Sequence, residues 1–150
     1  MPATIANLGP GFDALGMAVD LYDRFRVAIA DRAAVVFSGE SAGEISRIPT
    51  PLVARAAEAV TRRAGRDAVF AIDARLAIPV ARGLGSSAAS IVGGLVAANH
   101  LLGNPLDRST LLEMAAELDR PDRPPRVQPS ALGRKVLALS AGSTSGMSGR

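Results

Sequence analysis

The run Ile78-Pro79-Val80-Ala81-Arg82-Gly83-Leu84-Gly85-Ser86-Ser87-Ala88-Ala89-Ser90 sets a glycine-serine turn between a strand-like stretch and a helix of small residues. Glycine tolerates positive φ and lets backbone approach a ligand closely. Gly83 and Gly85 therefore allow successive N–H groups, from the turn and from the start of the following helix, to point into one anion. A polyphosphate, as carried by a nucleotide, suits such a site. Taken alone, the same turn is also what tight packing after a strand requires.

A second glycine-dense loop opens the chain, Pro2-Ala3-Thr4-Ile5-Ala6-Asn7-Leu8-Gly9-Pro10-Gly11-Phe12-Asp13-Ala14-Leu15-Gly16. It sets an amide, Asn7, and a carboxylate, Asp13, six residues apart, where both can meet a small polar ligand. The competing reading is turn capping, because Asx side chains readily bond their own backbone. His100 is the chain's single histidine, so it cannot build a histidine metal cluster. It lies in an apolar helical stretch, where a structural role outweighs a catalytic one.

Short apolar runs position these loops. Met17 to Val19, Phe25 to Ile29 and Val35 to Phe37, separated by polar turns, read as a β-meander. Pro51 to Ala64 turns helical: Pro49 and Pro51 bound it, Leu52, Val53, Ala56, Ala57 and Val60 form an apolar face, and Arg62, Arg63 and Gly65 mark its end. Val69 to Ile78 is extended and delivers the chain to the glycine turn. A helix is predicted from Ser86 to about Leu102, stopped by Gly103-Asn104-Pro105. Asp107 or Ser109 caps a shorter helix through Leu118. From Arg120 to Arg126 three prolines and three arginines fall within seven residues, which neither strand nor helix survives easily. Val127 to Ser140 reads as a strand or buried turn, and Ala141 to Arg150 as a disordered Gly/Ser-rich tail.

At 150 residues the chain has the size of one domain with a real core. Hydrophobic residues make up 48% and aromatics only 3%, so that core rests on Ala, Val, Leu and Ile. A net charge of +3 suits an anionic ligand, yet the arginines form no continuous run and few rings are available to stack on bases, which argues against nucleic acid. The absence of cysteine removes disulfides and thiolate metal sites. No stretch approaches the ~20 apolar residues of a membrane span, and no export signal is visible. A cytoplasmic protein without a membrane partner is expected.

With both glycine loops in this order, roughly seventy residues apart, the chain resembles the kinase superfamily of galactokinase, homoserine kinase, mevalonate kinase and phosphomevalonate kinase. The wording Asn7-Leu8-Gly9-Pro10-Gly11-Phe12-Asp13 is similar to that of the homoserine kinases. The resemblance covers about Pro2 to Leu118, with a weaker echo from Val127 to Gly133. It implies an α+β fold, the superfamily's N-terminal domain of ribosomal protein S5 domain 2-like type, with a mixed sheet and helices packed on one side. It also implies ATP-dependent phosphorylation of the L-homoserine side-chain hydroxyl, on the route to threonine, with ATP and Mg²⁺ as the bound groups.

Carried over by residue, the resemblance implies that Gly83, Leu84, Gly85, Ser86 and Ser87 wrap the ATP phosphates, with Pro79, Arg82, Ala88 and Ala89 beside them. It brings the Ser87 hydroxyl towards Mg²⁺, and Glu117 falls where the family keeps a magnesium carboxylate. Asn7 and Asp13 fall where the family holds homoserine, with Asp13 suited to the ammonium group and Asn7 to orienting the attacking hydroxyl. Glu117 on its own also reads as an ordinary solvated carboxylate. Unlike a P-loop, the turn has no lysine after its glycines, so Mg²⁺, the helix dipole and a cationic side chain elsewhere must neutralise the phosphates.

The chain departs from the family at Arg120-Pro121-Asp122-Arg123-Pro124-Pro125-Arg126, where the family has Gly-His-Pro-Asp-Asn. The expected division is therefore 1–119, a nucleotide- and substrate-binding domain, and 120–150, the divergent and incomplete start of the remaining kinase, without a C-terminal domain. Both ends read as cut, and a fragmentary or frame-disrupted coding sequence accounts for that. The resemblance leaves a homodimer open for the full-length protein. The rival functions are a catalytically inactive nucleotide-binding fragment and a sibling kinase for another small hydroxylated metabolite.

Overall fold

A computed structural model describes residues 1–6, 15–47 and 50–119. Among these residues five strands form, paired differently from a meander. β1 (Pro2–Ile5) and β2 (Met17–Tyr22) form an antiparallel pair with Ala3 opposite Val19 and Ile5 opposite Met17. β3 (Arg24–Ile29), β4 (Ala34–Gly39) and β5 (Phe70–Leu76) form a second sheet in the order β3-β5-β4. β5 runs antiparallel to β3 and parallel to β4, so the sheet is mixed, as the resemblance implies.

The predicted meander is thus corrected, since β3 and β4 are not neighbours and β5 lies between them. The physical reason is burial. Phe70, Ile72, Ala74 and Leu76 of β5 are all buried on one face, so β5 is the strand best suited to the centre. Phe25 and Val27 flank it on one side and Val35 and Phe37 on the other, packed against the same core. A parallel β4–β5 pair needs a crossover, and the intervening helical segment supplies it. The opposite face of the sheet carries Arg24, Arg26, Val36, Asp73 and Arg75, all exposed.

The helix boundaries follow local chemistry. α1 (Ala42–Ile45) is a single turn that the sequence does not signal. α2 (Leu52–Ala64) starts after Pro51 and ends at Gly65, which takes a left-handed conformation at φ 60° while the Arg66 N–H donates to the Thr61 carbonyl at 3.0 Å. Its buried residues Val53, Ala56, Ala57 and Val60 lie on the predicted apolar face. α3 (Ser86–Leu101) and α4 (Arg108–Asp119) follow the glycine turn. Asp107 caps α4, accepting the Thr110 N–H at 2.8 Å, which decides between the two predicted caps.

α3 is the centre of the domain. It packs against α2, α4, β1 and β3, and ten of its residues are buried. A Cβ on Gly94 would run into the Val53 carbonyl and the Ala56 methyl, so glycine there is what lets α2 approach so closely. The core of Val53, Ala56, Ala57, Val60, Ile72, Ile91, Leu95 and Ala98 is aliphatic, as the composition requires. Among the described residues no helix is long and apolar enough to cross a membrane. The readings of Pro49 as a helix boundary and of everything from Arg120 onward lie outside the described residues.

Candidate functional site

The glycine turn leaves β5 over a small second cluster of buried residues, Ala3, Ile78 and Ala89, with Val19, Leu21 and Leu84 packed around it. Ala81 (φ 57°), Gly83 (φ 70°) and Gly85 (φ 72°) are left-handed at alternate positions. Such alternation curls the chain so that its amides face one side. A Cβ on Gly85 would enter the Thr4 hydroxyl, and the Thr4 N–H donates to the Leu84 carbonyl at 2.9 Å, so β1 seats the turn directly. At Gly83 a Cβ meets nothing, and only its positive φ calls for glycine.

Gly85 is also the N-cap of α3, and no side chain caps that end. The first amides of the helix are thus left for a ligand or water. They open on a pocket of about 220 Å³ lined by Pro79, Ala81 to Ala88 and Asp119. Small-molecule pockets usually measure roughly 300–1,000 Å³. The pocket that the described residues enclose is therefore smaller than most. Ser87 is exposed at this mouth and Ser86 is buried beside it. Arg82 is the cation in the lining, and the chain's lysine, Lys135, lies outside the described residues.

Of the sequence-predicted residues, the structure brings Pro79, Arg82, Gly83, Leu84, Gly85, Ser86, Ser87 and Ala88 to this pocket. Ala89 turns inward instead, 3% exposed, and its N–H donates to the Gly85 carbonyl at 2.9 Å. Glu117 is exposed on α4 and does not line the pocket, whereas Asp119 does. Two residues along a helix turn a side chain by about 200°, so the two carboxylates cannot share a face. The signal for Asp119 was in the lengths. At 1.5 Å per residue α3 is about 24 Å long and α4 about 18 Å, so a returning α4 brings its last turn back near the start of α3. His100 is exposed near the other end of α3, about 21 Å along the axis from Ser86, too far to reach the turn.

Asn7 and Asp13 lie outside the described residues. The chain enters that segment from β1, whose Thr4 is bonded to Leu84, and leaves it at Leu15, before β2. Among the described residues no three His, Asp or Glu side chains gather to hold a metal by themselves.

One buried carboxylate escaped the sequence reading. Asp23 sits between β2 and β3 with no exposed surface. Its Oδ1 accepts the Ala77 N–H at 2.8 Å and the Ile78 N–H at 2.9 Å. Its Oδ2 is buried without a partner. Burial raises the Asp23 pKa above the usual carboxylate range, against the pull of the two amides and the Met1 ammonium. Ser41, 6% exposed, donates to the Ile78 carbonyl at 3.1 Å from the other side. The sequence Tyr22-Asp23-Arg24 looks like a polar turn, and nothing local marks its aspartate as buried.

Comparison with known proteins agrees with this geometry. Residues 51–124 match the family described as GHMP kinases N terminal domain. A homoserine kinase of Synechococcus sp. (strain CC9311) is 46% identical over 149 residues, covering 95% of this chain and 46% of its relative. One from Moorella thermoacetica is 42% identical over 143 residues, covering 95% and 48%. The chain therefore spans about half the length of the curated relatives it matches. Among solved structures, homoserine kinase from Cytophaga hutchinsonii superposes with a TM-score of 0.68 at 33% identity, over 79% of this chain and 39% of that one. A mevalonate kinase from Methanococcus jannaschii, at 18% identity and TM-score 0.62 over 79% and 44%, shares the fold. The family match starts at α2, runs through the glycine turn and ends just past α4, a stretch that contains every residue lining the pocket: the chain belongs to the GHMP kinases and carries their N-terminal domain.

Proposed function

We propose that this chain is the ATP- and substrate-binding part of a homoserine kinase, acting in the cytoplasm on the route to threonine. The observation that carries the reading is the uncapped start of α3 behind a turn with left-handed residues at 81, 83 and 85. Relatives named homoserine kinase, 42–46% identical, support the substrate. In the reaction the homoserine hydroxyl oxygen bonds to the γ-phosphorus of ATP as the bond to the ADP oxygen breaks, and the hydroxyl proton is released.

Each residue then has a task. The amides of Gly83 to Ser87 hold phosphate oxygens, and Arg82 lies close enough in the lining to add positive charge. The donor set fits Mg²⁺, since a serine hydroxyl and one carboxylate are the hard oxygens this ion takes beside phosphate and water. Ser87 and Asp119 line the pocket together and would hold it. Glu117, the carboxylate implied by the family, would have to turn in from an exposed position. Bound there, the ion would neutralise charge on the phosphates. Asn7 orients the hydroxyl and Asp13 receives the ammonium of homoserine. Phosphoryl transfer has a loose transition state, so positioning and charge stabilisation carry most of the rate and no strong base is needed. Residues 1–119 form this binding domain and 120–150 begin the remainder of the enzyme.

Mg-ATP titration by calorimetry and homoserine-dependent ADP release, run against mevalonate and shikimate, test the reading. Binding with turnover on homoserine supports it. Turnover on another alcohol makes the protein a sibling kinase. Binding without turnover favours the second reading, an inactive nucleotide-binding module, for which the Arg120 to Arg126 wording speaks. For the residue roles, Asn7→Ala should lower kcat/KM for homoserine while nucleotide affinity is nearly unchanged. Equal loss of both refutes the role given to Asn7.

A further inference from the structure

The glycine turn is not self-supporting. From Ala77 to Leu84 the chain belongs to neither β5 nor α3, and Ala81, without glycine's freedom, is held at φ 57°. Backbone in such a conformation persists only where its surroundings hold it. The holding points can be named. Downstream, the Thr4 N–H grips the Leu84 carbonyl. Upstream, side chains take both polar groups of Ile78: Asp23 accepts its N–H, together with that of Ala77, and Ser41 donates to its carbonyl.

These two side chains come from different parts of the fold. Asp23 joins β2 to β3, 55 residues before Ile78, and Ser41 follows β4, 37 residues before it. Neither lines the phosphate pocket. A buried carboxylate with one oxygen unpartnered is an unfavourable way to fill a core position, and an apolar side chain would normally pack there at lower free energy. What an apolar side chain cannot do is accept two amides at once.

We propose that Asp23 and Ser41 are positioning residues that clamp Ile78 from both sides and so preset the phosphate turn. This rests on reading the turn as a phosphate site. With the clamp closed, Pro79 to Gly83 spans two fixed points, Ile78 and Leu84, and its amides converge without a ligand having to order them. Opening the upstream end releases the turn while leaving intact every group that would touch the ligand. Preorganisation of this kind appears in affinity, because ordering a loose loop subtracts from binding.

The test uses the 150-residue chain and three variants. Asp23→Ala removes the acceptor, Asp23→Asn keeps an oxygen able to accept both amides, and Val60→Ala opens the core on α2, away from the turn. Two readouts are taken at a temperature where circular dichroism shows each variant folded. In amide hydrogen exchange without ligand, Asp23→Ala should speed exchange of the Thr4 N–H, whose bond to the Leu84 carbonyl holds the downstream end of the turn, at least tenfold over wild type, with Asp23→Asn and Val60→Ala within about threefold. In calorimetry, Asp23→Ala should weaken Mg-ATP at least tenfold and Asp23→Asn restore it to within about threefold.

Exchange at Thr4 that is unchanged in Asp23→Ala, or raised equally by Val60→Ala, overturns the clamp whatever the ligand does. Faster exchange with undiminished Mg-ATP affinity overturns its role in binding. A wild-type chain with a protected Thr4 amide that fails to bind Mg-ATP overturns the phosphate reading and the ligand part of this proposal with it. If Asp23→Ala does not fold, Ser41→Ala, which removes the single bond to the Ile78 carbonyl, takes its place with the same expectations halved on a logarithmic scale, about threefold in each readout, and Ser41→Thr as the rescue.

Discussion

The two ends of α3 are made from similar residues and behave in opposite ways. At its start Gly85 is left-handed, no side chain caps the helix, and the first amides open on a pocket. At its end Gly103 (φ 83°) and Asn104 (φ 56°) are also left-handed, yet the polar groups around them are engaged. The Gly103 N–H donates to the His100 carbonyl and the Asn104 N–H to the Asn99 carbonyl. The Asn99 side chain both donates to the Leu106 carbonyl and accepts the Leu106 N–H, each at 3.0 Å. Asp107 then caps α4. A glycine turn beside a helix is therefore not a site by virtue of its glycines. What separates the two ends is whether the backbone donors are already engaged.

Replacing one glycine at each end breaks the comparison most severely. Gly85→Ala puts a methyl into Thr4 at a left-handed position, so strain of about 1–2 kcal/mol adds to overpacking of about 1–3 kcal/mol. Urea denaturation should show a loss of about 2–5 kcal/mol, and Mg-ATP binding should fall below detection by calorimetry. Gly103→Ala meets open space, so only the conformational term of about 1–2 kcal/mol remains and binding should be unchanged. Equal effects at the two positions would remove the distinction drawn here.

Asn99→Ala comes next. It strands the N–H and carbonyl of Leu106 in a partly buried site, which should cost about 2 kcal/mol in urea denaturation with Mg-ATP affinity within twofold of wild type. A large loss of affinity would mean that the α3–α4 connection, and not only the turn, orders the pocket.

Smaller effects distinguish the carboxylates at the two ends by the sign of their pH dependence. Burial raises Asp23 above its ordinary value of 3.8, so the folded state binds its proton more tightly than the unfolded state does. Its contribution is therefore most favourable at low pH and declines as pH rises from about 3.8 through the raised value. Asp23→Asn should remove this decline, with stability gained relative to wild type as the pH climbs through that window. Asp107 is exposed and held below 3.8 by the Thr110 backbone N–H, then by the Thr110 and Ser109 side chains. Its contribution is present above the ordinary value and lost as pH falls through the lowered one. Asp107→Asn should give the smallest change, a shallower fall in Tm on acidification. Parallel slopes for the two variants would contradict the burial assigned to Asp23.

Much of this was legible along the chain. Pro51, the apolar face of α2 and Gly65 delimit a helix found at Leu52–Ala64, and Ser86 to about Leu102 became Ser86–Leu101. These depend on periodicity and on which residues tolerate a given φ, both decided by near neighbours. The strand order was not legible. Sequential strands most often sit side by side, but β5 displaces that expectation because its alternate residues fill the core between β3 and β4. Pro2–Ile5 was hidden because its strand leads straight into a glycine-dense segment.

What the amino-acid order settled unaided is therefore local: where helices begin and stop, and that the chain turns through left-handed glycines at 83 and 85 before α3. Tertiary structure alone chose which carboxylate faces that turn, Asp119 rather than Glu117, and which one is buried to hold it. The reason is distance along the chain. Asp23 acquires its role only when folding brings the amides of Ala77 and Ile78, 54 and 55 residues away, onto one of its oxygens.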